Sequence, residues 1–101
     1  MSWFLFRLNS PRPAFSRDMT PAERTILEAH VASWMALAQQ GTALVFGPVA
    51  DPSGPWGLGI VEAPDRAAAQ AIADADPAIT AGIGFSFDIF PMPRAILRPG
   101  S

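Results

Sequence analysis

The sequence predicts an α+β fold in one domain, and two observations support this prediction. Short segments rich in β-branched and aromatic residues alternate with two longer segments that begin at helix caps and end at glycine or before proline. The resulting order is strand, helix, strand, strand, helix, strand. A chain of 101 residues can build one core but not two, so we expect a single domain over residues 1–101.

The first strand is predicted from Ser2 to Leu8, where aromatic and aliphatic residues dominate. It is followed by the sequence NSPRP, in which two prolines prevent regular structure. Residues 9–19 are therefore expected to form a loop.

The first helix is predicted to begin at the sequence TPAE. The Thr20 side chain can accept a hydrogen bond from a free backbone amide, Pro21 needs no donor, and Glu23 can reach back. Gly41 is expected to end the helix, because it can adopt the left-handed conformation that closes a last turn. His30 falls on the flank of the predicted apolar stripe. That stripe consists of Leu27, Val31, Trp34 and Ala38.

Two strands follow, from Thr42 to Val49 and from Trp56 to Glu62, joined by the turn-rich sequence ADPSGP. Their spacing predicts a β-hairpin. Gly57 and Gly59 share one face of the third strand and leave room for another group to approach closely.

The second helix is predicted from an Asp65 cap to Ala75, and it ends because Asp76 precedes Pro77. Asp76 can also cap a short further turn. The predicted apolar stripe of this helix is Ala68, Ile72 and Ala75.

The last strand is predicted from Ile83 to Phe90 by clean alternation, and an irregular tail is expected over residues 93–101. Its apolar face consists of Ile83, Phe85, Phe87 and Ile89.

These elements together predict a ferredoxin-like βαββαβ plait, in which a four-stranded antiparallel sheet carries two helices on one face. Both faces of the first strand are apolar, since Phe4 and Phe6 lie on one and Trp3 and Leu5 on the other. An apolar second face on so small a chain is usually covered by a partner. We therefore predict a homodimer joined through its sheet faces.

The composition argues against several functions. The net charge is −2, lysine is absent and the seven arginines are scattered, so no basic stripe for nucleic acid is expected. No apolar stretch approaches membrane-spanning length. One histidine and no cysteine make a metal site unexpected, and we predict no cofactor. The absence of cysteine fits a cytoplasmic protein.

Four motifs resemble the YciI-like, or YCII-related, domain family of small bacterial proteins. They are EAHVASWMALAQQG, FGPVADPSGPWGLGIVEAPD, ADADPAITAG and FDIFPMPRA, in this order between Glu28 and Ala95. The resemblance implies a dimeric α/β barrel built on the plait. It also implies an active site in which a histidine of the first helix, here His30, lines a pocket with an acidic partner. The matching aspartates are Asp51 and Asp76.

The chain departs from the classical members of that family at two places. Asn9 and Ser10 stand where those members have an aspartate after the first strand, and Leu27 stands where they have an arginine. If either group takes part in catalysis elsewhere, the mechanism cannot be transferred unchanged.

His30 is the leading catalytic candidate, because imidazole titrates near neutral pH and can transfer protons when a carboxylate fixes its tautomer. Its partner is either Asp76 or Asp51. Each residue also has a structural explanation: a backbone bond for His30, a helix cap for Asp76 and a turn for Asp51. Trp56, Asn9 and Ser10 are the other candidates for a pocket.

Two functions remain open at this point. The first is an enzyme without cofactor that uses His/Asp acid-base chemistry of the lyase, dehydrochlorinase or isomerase type on a small organic acid. The second is a non-catalytic module that binds a small molecule or serves for dimerisation. The sequence alone does not identify the substrate or the reaction.

Overall fold

Eight elements of secondary structure build the protein in a computed structural model that describes residues 1–100. Ser101, the end of the predicted tail 93–101, lies outside the described residues. The strands are β1 (Ser2–Asn9), β2 (Ala43–Val49), β3 (Trp56–Ala63) and β4 (Ser86–Met92). The helices are α1 (Phe15–Asp18), α2 (Pro21–Gln39), α3 (Arg66–Ala75) and α4 (Pro77–Thr80).

The four strands form one antiparallel sheet in the order β2-β3-β1-β4. The predicted hairpin is formed by β2 and β3, and β1 lies between β3 and β4. The two long helices, α2 and α3, pack on one face of this sheet, against a core that includes Phe4, Phe6 and Val61. The predicted ferredoxin-like plait is therefore confirmed.

The start of α2 is the predicted capping box. The Glu23 amide donates to the Thr20 hydroxyl at 3.1 Å, and the Thr20 amide donates to the Glu23 carboxylate at 2.9 Å. The helix ends at Gln39, and Gly41 has a φ of 82°, as the stop signal required. The predicted local signals thus lie at the two ends of the helix.

The side of α2 that faces the core differs from the predicted stripe. Val31 is 40% exposed and Ala38 is exposed, whereas Trp34 is buried and His30 and Leu37 are partly buried. The helix is turned so that the largest side chain, Trp34, enters the core. This rotation moves His30 from the flank to the buried side.

Gly59 explains why Trp34 fits there. A β-carbon at Gly59 would lie 2.5 Å from the Trp34 ring, which is closer than any such contact that real side chains make. The predicted close approach at the glycines of β3 is thus made by a side chain of the core itself.

Two further elements differ in detail from the prediction. The buried stripe of α3 is shifted by one residue, because Ala69 and Ala73 are buried and Ala75 is exposed. Strand β4 begins at Ser86 instead of Ile83, since the positive φ of Gly84, 109°, interrupts the extended chain before it. The alternation of faces is retained in β4, with Phe87 and Ile89 packed against the core.

The segment predicted as a loop, residues 9–19, is more regular than expected. Its first residue, Asn9, still belongs to β1, and Phe15–Asp18 form the single turn α1. Phe15 is buried and packs on Phe85, with 5.0 Å between the ring centroids. This tertiary contact stabilises regular structure in a segment for which the two prolines predicted a loop.

The face of the sheet opposite the helices has an apolar patch around Leu5. Leu5 of β1 pairs with Ile60 on one side and Phe90 on the other. Phe90 is 51% exposed and Val45 is 49% exposed on this open face. Among residues 1–100, no helix is long and apolar enough to cross a membrane.

Candidate active site

A cavity of about 360 Å³ lies between α2, the α1 segment and the sheet. Its size is in the range of small-molecule sites. The lining is predominantly apolar, with leucine, valine, methionine and proline side chains beside the aromatic ones. The aromatic lining residues are Phe15, Trp34, Phe46, Trp56, Phe85 and Phe87.

His30 is the lining residue with a titratable side chain, and it is held by a buried carboxylate. Its Nδ1 lies 2.7 Å from Oδ2 and 3.0 Å from Oδ1 of Asp76. The His30 side chain is 12% exposed and that of Asp76 only 1%. Of the two aspartates that the sequence left open, Asp76 is thus the one that contacts His30.

The other contacts of Asp76 define which group donates the proton. The Trp34 indole Nε1 donates to Oδ2 at 2.7 Å, and the Ala78 amide donates to Oδ1 at 2.9 Å. Indole and backbone N–H groups only donate, so both carboxylate oxygens act as acceptors. We therefore assign the proton between the two residues to Nδ1 of His30, which donates it to Asp76.

In the neutral ring, this assignment makes Nε2 of His30 an acceptor. Nε2 makes no hydrogen bond with any described residue, and no buried side-chain nitrogen or oxygen among them lacks a partner. Nε2 is therefore accessible, and His30 belongs to the cavity lining. A lone pair at the cavity can accept a proton from a bound molecule.

Local structure on two different elements brings this pair together. Asp76 is the last residue before α4 and caps it, as predicted, so its carboxylate points back toward the helix layer. His30 and Trp34 are four residues apart and therefore lie on the same side of α2. The packing of α2 against α4 places both side chains over one carboxylate.

Asp51, the other candidate partner, has different neighbours. Its carboxylate accepts hydrogen bonds from the Ser53 amide at 2.8 Å and from the Trp56 indole at 3.1 Å. These two bonds, the amide first, lower the pKa of Asp51, with a smaller contribution from Arg7. Asp51 is not part of the cavity lining. It organises the turn between β2 and β3.

The three remaining pocket candidates divide between two places. Ser10 and Trp56 line the cavity, and the Ser10 hydroxyl donates to the Pro55 carbonyl at 3.4 Å. Asn9 lies outside it, on the open face of the sheet, where its amide donates to Asp88 at 2.9 Å. On the same face, the guanidinium of Arg7 lies 4.6 Å from the centre of the Trp56 ring.

A strap, defined as residues 10–19, forms one wall of the cavity through Ser10, Phe15 and other side chains. Arg12 fixes the strap, because its guanidinium donates to both Glu23 carboxylate oxygens at 2.8 Å and to Asp18 at 2.9 Å. The Arg12 bonds, together with that from the Thr20 amide, lower the pKa of Glu23 to about 2.

Apart from Ser10, no residue of the strap was identified from the sequence as part of the site. The aromatic partner of Phe15 is Phe85, seventy residues further along the chain, and this contact becomes visible only in the folded structure. A weak signal was present in Arg12, a charged residue between two prolines in a chain of low charge.

Possible metal ligands are sparse around the cavity. Within residues 1–100, no three histidine, cysteine, aspartate or glutamate side chains form a group that could hold a metal ion. The chemistry of the cavity is therefore considered from the His30 imidazole.

The fold agrees with the result of comparing the chain with known proteins. The YCII-related domain family matches residues 3–93. The chain therefore belongs to the YCII-related domain family, as the sequence motifs predicted. No curated protein matches the sequence significantly.

One similar solved structure is that of 5-chloro-2-hydroxyhydroquinone dehydrochlorinase (TftG) from Burkholderia phenoliruptrix, in complex with 2,5-dihydroxybenzoquinone. The two chains are 17% identical and superpose with a TM-score of 0.63, over 91% of this chain and 95% of the other. At this identity, the likeness establishes the shared fold.

Proposed function

We propose that this protein is an enzyme without cofactor, in which His30 transfers a proton to or from carbon in a small organic molecule. The observation that carries the proposal is the bond from Nδ1 of His30 to the buried Asp76, with Nε2 open to an apolar cavity. Similarity in fold to a dehydrochlorinase supports elimination or isomerisation as the class of reaction.

The proposed reaction begins with neutral His30 as the base. Nε2 takes a proton from a carbon atom of the bound molecule, and the electron pair of the broken C–H bond moves into the substrate. In a dehydrochlorination at an sp³ carbon, this pair forms a C=C bond while chloride leaves with the electrons of the C–Cl bond. In an aromatic chlorohydroquinone, His30 instead moves a hydroxyl proton to the carbon that bears chlorine, and loss of the proton of a second hydroxyl then expels chloride as C=O and C=C bonds form. In an isomerisation, the imidazolium returns the proton to a different carbon.

Asp76 acts in this proposal as a positioning residue. Its ionised carboxylate holds the Nδ1–H tautomer and stabilises the imidazolium that forms during the reaction. The bonds from Trp34 and Ala78 fix the carboxylate itself, so the imidazole ring has one orientation. The apolar lining lowers the effective dielectric around these interactions and so strengthens them.

Chloride release tests the proposal directly, with 5-chloro-2-hydroxyhydroquinone and related chlorinated hydroquinones as probes. General base catalysis contributes about 10²–10⁴-fold, so His30→Asn should lower the rate by at least about 100-fold. Asp76→Asn should also lower it, whereas Asp51→Asn is the matched control with an unchanged rate. Circular dichroism would show that each variant is folded.

Two results would overturn the enzyme proposal. One is a rate that does not change in His30→Asn. The other is a wild-type protein that binds the probes yet releases no chloride and exchanges no carbon-bound hydrogen in D₂O. The latter result would favour the alternative, a small-molecule binding module.

We further propose that two copies associate through their open sheet faces. Phe90 and Val45 expose about half of their surface there, and their neighbours in the sheet are apolar. Sedimentation equilibrium should give twice the mass of one chain at micromolar concentration. Phe90→Glu should give monomers, and Met35→Glu, at an equally exposed position on α2, should not. A monomeric wild type would contradict the proposal.

A further inference from the structure

We infer that the cavity selects an uncharged aromatic ligand and discriminates against a carboxylate on the same ring. This inference rests on the proposed function only in taking the cavity beside His30 as the substrate site. It narrows the small organic acid expected from the sequence to a phenol-like molecule, on the basis of the cavity's own chemistry.

The arrangement of aromatic rings is the first argument. Trp34 lies 6.0 Å from Phe46 and 6.3 Å from Phe87 between ring centroids, and the rings are tilted by 43° and 40°. The Phe15 and Phe85 pair closes the side formed by the strap. Tilted rings at these distances present both edges and faces, to which a flat ring packs well.

The position of the positive charges is the second argument. The cavity lining, as far as residues 1–100 are described, includes none of the seven arginines, and the chain has no lysine. Arg12 is held by Glu23 and Asp18, and Arg7 by Asn9 and the Trp56 ring. A carboxylate that enters this cavity would lose its water without gaining a cation, which is unfavourable.

His30 does not replace the missing cation. Its Nδ1 already contacts both oxygens of Asp76, so a protonated ring would be neutralised by that carboxylate. The neutral ring instead offers Nε2 as an acceptor. A phenol hydroxyl can donate to Nε2, whereas a carboxylate there would meet a second acceptor.

The polar groups of the lining also suit hydroxyl groups. The indoles of Trp34 and Trp56 already donate to Asp76 and Asp51, so the other side chains of the lining that can form hydrogen bonds to a ligand are Ser10 and Ser16. The Ser10 hydroxyl donates to Pro55, so its oxygen remains able to accept. A ring with two hydroxyl groups can therefore be held at both ends without any charge.

The test compares hydroquinone with 4-hydroxybenzoate near pH 7.5, since the two probes share the ring and one hydroxyl and differ in a single carboxylate. Isothermal titration calorimetry should give a dissociation constant at least tenfold lower for hydroquinone. Equal or tighter binding of 4-hydroxybenzoate would overturn the inference. Binding of neither probe at millimolar concentration would overturn it as well.

A designed cation sharpens the test. Val31 lines the cavity and is 40% exposed, so Val31→Arg places a guanidinium at the rim without burying it. This variant should bind 4-hydroxybenzoate more tightly than the wild type does, by about tenfold or more. Met35→Arg is the matched control, because Met35 lies one turn further along α2, is 50% exposed and does not line the cavity.

The two proposals fail in distinguishable ways. If 4-hydroxybenzoate binds better while chloride release still depends on His30, the charge preference is wrong and the enzyme proposal stands. If hydroquinone binds better while His30→Asn releases chloride at the wild-type rate, the enzyme proposal is wrong and the charge preference stands.

Discussion

Two aspartate-proline pairs of this chain, at Asp51 and Asp76, accept the same kinds of hydrogen bond. In each pair, the carboxylate accepts a bond from the backbone amide two residues further on and a second bond from a tryptophan indole. The partners of Asp51 are Ser53 and Trp56, and those of Asp76 are Ala78 and Trp34.

The two aspartates differ in the elements of the structure that pack against them. Asp51 remains partly exposed on a turn, beside Arg7. Asp76 is buried under α2 and also contacts His30. The same local motif is thus a turn in one place and half of a candidate active site in the other. The difference is tertiary, and it can be tested by changing both pairs in the same way.

The largest difference is expected when each carboxylate is removed. Asp76→Ala leaves the indole of Trp34, the amide of Ala78 and Nδ1 of His30 without their buried acceptor, which costs about 3–5 kcal/mol of unfolding free energy. Asp51→Ala should lower the melting temperature far less, since water replaces the lost bonds. Urea denaturation measures both, and equal losses would contradict the comparison.

The glycine under Trp34 provides the next effect. Gly59→Ala forces the Trp34 ring away from its place, and overpacking of this kind costs about 1–3 kcal/mol. Gly47→Ala is the control on the neighbouring strand, where a new β-carbon meets nothing within 4 Å. If thermal denaturation finds the two variants equally stable, Trp34 is not held as described.

A smaller effect is expected from the indole groups. Trp34→Phe retains an aromatic ring but removes the donor to buried Asp76, which costs about 1–2 kcal/mol. Trp56→Phe removes the corresponding donor to Asp51, and its unfolding midpoint in urea should move less. A larger shift of the urea midpoint for Trp56→Phe than for Trp34→Phe would contradict the assignment of the Trp34–Asp76 bond as the buried one.

The dependence of stability on acid is the smallest effect and involves the exposed groups. The pKa of Glu23 is lowered from 4.5 to about 2, and that of Asp51 lies below its usual 3.8. A lowered pKa stabilises the fold above the ordinary value, and this stabilisation disappears as pH falls through the lowered one. The wild type should therefore lose its stability advantage over Glu23→Gln between about pH 4.5 and 2.

The same reasoning predicts a narrower change for Asp51→Asn. Its deficit against the wild type should be constant near neutrality and should shrink below pH 3.8. Melting temperatures recorded from pH 7 to 2 for the three proteins measure both effects. A deficit that grows on acidification would have the wrong sign.

The sequence was sufficient for the elements that depend on neighbouring residues. The capping box at Thr20, the caps at Asp65 and Asp76 and the stop at Gly41 join groups that are at most a few residues apart. Such signals act within one turn of chain, so periodicity and caps predicted the plait correctly.

Contacts between distant segments could not be predicted in this way. The choice of Asp76 over Asp51 as the partner of His30 depends on a contact across 46 residues. The rotation of α2 depends on the fit of Trp34 over Gly59. Hydrophobic periodicity cannot register this fit, and it therefore predicted a different buried stripe. The order within the strap depends on Arg12, which binds a carboxylate of the next helix.

The most direct test of the central claim is the tautomer of His30, measured by two-dimensional ¹H–¹⁵N NMR of the neutral ring. The chain has a single histidine, so the signals need no assignment. We predict that the proton resides on Nδ1, held by Asp76, and that Nε2 is unprotonated. A ring protonated on Nε2 would have no base facing the cavity and would contradict the proposed mechanism.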